Sequence, residues 1–173
     1  MDTQKTFAEI DSVLTDMIKT LSLFTEEEIN TIPFEGSWTP GQVAQHIILS
    51  DSGFASLLSG PVKDTDRQPD QHVEQLKAIF LNFDIKMKSP DFILPPAIDY
   101  KKEELLANLE QIKTRLNQFD QTSDMTKTCT GMKLPVMGYL TRIEAATFII
   151  VHTKRHVHQL GNIYIKQSIT LNN

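Results

Sequence analysis

Three of the five histidines in this 173-residue chain lie within seven positions of one another, in the stretch VHTKRHVHQL, residues 151–160. His152 and His156 stand four apart. On a helix, side chains so spaced emerge one above the other on the same face. Two imidazoles placed this way can offer ring nitrogens to one ion, and a third nitrogen from a facing helix completes a tripod. Three neutral imidazoles leave at least one coordination position open, which is the catalytic rather than the structural arrangement. Zinc or nickel suits such a donor set; iron, copper and manganese are alternatives.

The pair alone is weak evidence, because five histidines in a chain of this length give about 0.12 such pairs by chance. A single histidine on an apolar stripe is more often a hydrogen-bonded core residue than a ligand. His72 and His158 are read in that ordinary way. His158 lies about 200° round the helix from His156, on a side shared with Lys154 and Arg155 that reads as a solvated face. The HTKRH stretch is not a zinc-protease motif, since Thr153 stands where that motif needs a glutamate base.

The elements that must position these rings follow the helical period. Phe7, Ile10, Leu14, Met17, Ile18 and Leu21 predict a first amphipathic helix over residues 4–22. TEEEIN then makes an acidic turn that ends at Pro33. In SWTPGQVAQHI, Thr39 is an N-cap, Pro40 takes the first helical position and Gln42 completes a capping box. That helix runs to about Leu58. VKDTDRQPD reads as a loop and HVEQLKAIFLNF as a short third helix. KMKSPDFILPPAI, with three prolines, reads as a long connection or a lid. Asp99 is the expected cap of the helix YKKEELLANLEQIKTRLNQF. TSDMTKTCTGMKLPVMG reads as a loop in which only TCTGMKLPV is a candidate for local strand pairing. The last helix is expected from Tyr139 to about Gln167. The result is an all-α fold, an antiparallel four-helix bundle with one extra short helix, in a single domain over residues 1–173.

On that last helix Ala145, Ile149, His152, His156, Gln159 and Ile163 form one inward stripe. On the second helix Val43, His46, Ser50, Phe54 and Leu57 form another. The stripes bring His46 toward His152 and His156, so periodicity alone selects a trio from two helices.

Two segments together resemble the DinB/YfiT-like superfamily. SWTPGQVAQHI is similar to its first signature, a Trp-Ser/Thr-Pro start opening a helix that carries a histidine. GYLTRIEAATFIIVHTKRHVHQL is similar to its second, His-x-x-x-His followed by Gln and Ile or Leu. The resemblance implies a four-helix bundle holding one divalent metal ion through His46, His152 and His156, and a protein that is often a homodimer. It also implies one of several activities: S-transfer from a low-molecular-weight thiol to an electrophile, thiol-dependent isomerisation, or metal-dependent hydrolysis.

A thiol transferase would hold the cosubstrate thiol as thiolate at the open metal position. A hydrolase would use the metal to lower the pKa of a water and would need a general base. No Asp or Glu sits on the histidine stripes, which favours the thiol reading, although Asp91 on the proline-rich segment can fold over the mouth. A non-catalytic metal-binding stress-response module is the third reading. Gln159 and Gln42, each one turn from a ligand, are the candidates to hold ligand rings, with Gln42 already suited to capping.

Bulk properties exclude several classes. Net charge is −5, pI is about 5.5, and no block of Lys and Arg forms a nucleic-acid face. The acidic N-terminus is unlike a signal peptide, and the longest apolar run, near AATFIIV, is too short to span a bilayer. Cys129, the lone cysteine, can form neither an internal disulfide nor a thiolate cluster. A cytoplasmic protein acting on a small molecule, with neither nucleic acid nor membrane as partner, is the expectation.

Overall fold

A computed structural model of the chain describes residues 2–171. Five α-helices are joined by two short 3-10 turns and three strands: α1 Thr3–Ser22, α2 Pro40–Leu58, β1 Val62–Lys63, α3 Val73–Phe80, α4 Lys102–Asn117, β2 Thr128–Leu134, β3 Gly138–Thr141 and α5 Arg142–Leu171. The fold is mostly helical. It departs from the all-α expectation by a small antiparallel sheet in the order β1-β2-β3. No helix among the described residues is long and apolar enough to cross a membrane.

The starts of α1 and α2 have local causes. Asp2 caps α1 by accepting from the Gln4 and Lys5 amides. Thr39 and Gln42 form the reciprocal capping box expected for α2. Next to it, a Cβ on Gly41 would lie 2.9 Å from both the Ile29 carbonyl oxygen and the Tyr100 ring. The lack of a side chain there lets both chain segments close over the start of α2.

Two expected boundaries move. Asp99 does not cap α4, which begins at Lys102 with Lys101 in the N-cap position. Tyr100 is held in the preceding connection by its amide bond to Asn30 and its hydroxyl bond to the Pro96 carbonyl. Glu26 then receives the Lys102 amide from across the bundle. The last helix begins at Arg142 rather than Tyr139, because residues 138–141 pair with β2. The segment read as a loop is therefore largely a β-hairpin, and Cys129 lies buried in its first strand. Thr141 and Glu144 make a second reciprocal cap at the true helix start.

α1 packs on α4 and α5, α2 packs on the same two, and α3 lies on α5. Contacts along the helices give their directions. Asp11 meets Asn117 while Ser22 meets Lys102, so α1 and α4 are antiparallel. His46 meets His156, Phe54 stacks on Phe148 and Leu58 bonds Arg142, so α2 and α5 are antiparallel as well. Glu9 pairs with Lys154 and Phe24 packs on Tyr164, so α1 and α5 run parallel. The bundle is thus not antiparallel at every contact, which corrects the simplest expectation. It follows that α2 and α4 point the same way. The chain leaving α2 must return along the whole length of a 19-residue helix, about 28 Å, before α4 can begin. That return carries β1 and α3, and it brings the proline-rich segment to His46.

Candidate metal centre

His46 projects from α2, and His152 and His156 project from α5; all three are buried. Their Nε2 atoms converge, with that of His152 3.1 Å from His46 and 3.2 Å from His156. Among the described residues this is the one group of three or more His, Cys, Asp or Glu side chains spaced to share an ion.

The far nitrogens decide what the near ones can do. His46 Nδ1 lies 2.9 Å from the Ile93 carbonyl oxygen, which can only accept, so the proton sits on Nδ1. His156 Nδ1 likewise faces Gln159 Oε1 at 2.8 Å. Both Nε2 atoms are then bare lone pairs aimed at His152 Nε2. A proton there serves one of them well and leaves the other unpaired. A proton on Nδ1 instead donates to Ser50 Oγ, 3.3 Å away, and leaves three lone pairs facing one another. Such a cluster calls for a cation. Nitrogens about 2.0–2.1 Å from a common ion lie about 2.9 Å apart in octahedral and about 3.3 Å apart in tetrahedral geometry, and the two separations from His152, 3.1 and 3.2 Å, fall between. The residues fit a divalent metal ion.

Electrostatics agree. Burial lowers all three rings below the ordinary histidine range: His156 to about 3, His152 well below with both neighbouring rings adding to the effect, and His46 against the opposing pull of the Ile93 carbonyl. The rings are neutral at pH 7, the form that binds metal.

The surroundings are aromatic. Trp38 tilts against His46, Phe148 stacks on His152 and Phe80 meets it edge-on. No carboxylate joins the group among the described residues, and Asp91 lies exposed on the crossover. Gln42 is committed to its capping box. The partner of His46 is the Ile93 carbonyl, which no side-chain pattern can reveal. Ser50 lies on the inward stripe that the period of α2 predicts, but its contact with His152, like the three aromatic walls, depends on how the elements dock. Gln159 is where its spacing from His156 put it. Cys129 has its thiol pushed up to about 11 by burial, which keeps it protonated and unreactive at neutral pH. Lys154 pairs with Glu9, and Arg155 donates to the Phe80, Asn82 and Ile85 carbonyls, so neither is simply a solvated charge.

A helical bundle with a buried three-histidine cluster is the class these observations define. The chain belongs to the DinB superfamily, whose sequence model matches residues 9–160. Its structure is similar to that of YfiT from Bacillus subtilis, described as "a probable metal-dependent hydrolase with an unusual four-helix bundle topology". The identity is 14% and the TM-score 0.60, over 96% of this chain and 87% of that one. At that identity the likeness is one of fold. A search of the curated proteins finds no match.

Proposed function

We propose that the protein is a divalent-metal-dependent enzyme with His46, His152 and His156 as ligands. One observation carries the reading: three Nε2 atoms converge while oxygens stand at all three Nδ1 atoms. Bound there, a zinc or nickel ion supplies Lewis acidity at an open position and lowers the pKa of a thiol or a water it meets. The chain's own part is to hold the rings neutral and oriented, and to keep bulk water out with Trp38, Phe80 and Phe148.

Thiol S-transfer to a small electrophile is the reaction this site suits best. A cosubstrate thiol needs only to be held as thiolate, and among the described residues no carboxylate stands in the cluster to act as a general base for water. Hydrolysis is the second reading, favoured by the fold likeness to a protein described as a probable metal-dependent hydrolase.

Metal analysis of protein purified without an affinity tag tests the centre. About one divalent ion per chain is expected, with most of it lost in His152→Ala; equal metal in both would sink the assignment. Turnover of chlorinated or nitro-aromatic acceptors only when a low-molecular-weight thiol is supplied identifies the first reaction. Turnover of esters or amides without thiol identifies the second.

A further inference from the structure

Asp51 is out of place in the bundle core. It belongs to the α2 stripe Ala44, Ile47, Asp51, Ala55 and Leu58, whose other members are apolar, and it is fully buried. Its Oδ2 accepts from the Thr153 hydroxyl at 2.9 Å, while its Oδ1 meets no donor among the described residues. A half-satisfied carboxyl inside a core costs stability, so packing does not account for it.

Its placement suggests why it is there. Asp51 follows Ser50 and Thr153 follows His152. The Asp51–Thr153 bond and the Ser50–His152 contact are therefore adjacent rungs between the same two helices. Away from the rings, the other hydrogen bond from α2 to α5 among the described residues joins Arg142 to the Leu58 carbonyl at the helix ends. Near the site the two helices also meet through an apolar contact, the stack of Phe54 on Phe148. Apolar surfaces tolerate small rotations and slides, whereas a bond between two short buried side chains does not. A slip of one residue moves a helical side chain about 1.5 Å along the axis and about 100° around it. Functional geometry must be held to about 0.5 Å.

We propose that Asp51 is a positioning residue of the metal centre: with Thr153 it sets the rotation and axial register of α2 against α5, and so the convergence of His46 on His152 and His156. This rests on the metal reading of the three rings. Buried polar groups that cost stability while fixing helix register have precedent in coiled coils.

The test compares the parent with Asp51→Leu/Thr153→Val and with Asp51→Asn, which keeps the shape and the acceptor. Three quantities are measured: zinc affinity by competition with a chromophoric chelator, melting temperature without zinc, and ring 15N signals of the three histidines without zinc. The double variant is expected to melt at or above the parent temperature, because both partners are replaced together. It is expected to bind zinc at least about tenfold more weakly, with displaced His46 and His152 signals, while Asp51→Asn binds like the parent. Parent-like affinity and ring signals in the double variant overturn the proposal. Should that variant not fold, Thr153→Val alone decides by the same two readouts. If the parent itself binds no zinc, the metal reading falls and the ring signals judge the register role: displaced in the double variant they sustain it, unmoved they overturn it.

Discussion

Each imidazole of the trio has an oxygen at its far nitrogen, and the three oxygens have different origins: a backbone carbonyl, an amide and a hydroxyl. Oriented this way, the rings leave their Nε2 atoms facing one another, the arrangement that the proposed metal centre needs. Asp51 makes the opposite kind of contribution. Burial raises its carboxyl to about 7, against the Thr153 hydroxyl bond, which lowers it. Below about pH 4 the carboxyl is protonated in folded and unfolded chains alike, so its ionisation adds no cost. Between pH 4 and 7 only the unfolded chain ionises, so stability falls as pH rises, by ~1.4 kcal/mol per pH unit at most. Above 7 the cost is constant. In urea unfolding, the stability of Asp51→Asn relative to the parent should therefore climb from pH 4 to pH 7 and stay level beyond. Parallel curves across that range would show an unperturbed carboxyl.

At the scale of elements, the crossover from α2 to α4 both closes the fold and completes the site. Its first half is tied down by Glu144 at the start of α5, which accepts from Arg67 through both carboxylate oxygens and from the His72 and Thr141 amides. These bonds hold Glu144 below the usual carboxylate range although burial opposes them. Its second half is tied by Arg155, beside His156 in sequence, and by the Ile93 carbonyl on His46. The Arg155 bonds are local, so Arg155→Ala should release residues 80–98 without unfolding the bundle. Amide exchange there is expected to rise about tenfold or more, with α1, α2 and α4 unchanged. Uniform protection across the crossover would show that Ile93 and apolar packing suffice to hold it.

For the molecule as a whole, an ion held between α2 and α5 links two helices far apart in sequence. It should stabilise only the folded chain. Zinc at about one hundred times its dissociation constant adds about 2.7 kcal/mol, or roughly 5–10 °C in melting temperature for a chain of this size. A chelator should reverse the rise, and His152→Ala should not show it. A zinc-independent melting temperature in the parent would mean that the rings meet for packing alone.

Much of this was readable along the chain, because local periodicity and capping chemistry act over a few residues. The stripes through His46 and through His152 and His156, the Thr39 capping box and the spacing of Gln159 all follow from the turn of a helix. Thr141-Arg-Ile-Glu144 has the same capping spacing, which the expected start at Tyr139 overlooks, and it marks the start of α5 more faithfully than the apolar period does. What tertiary structure alone decided has another character. The Ile93 carbonyl reaches His46 only because parallel α2 and α4 force a long return across the site. Asp51 meets Thr153 only because two helices about a hundred residues apart lie in one particular register. Backbone carbonyls carry no side-chain signature, and contacts between remote elements depend on how whole helices dock, which no window of sequence contains.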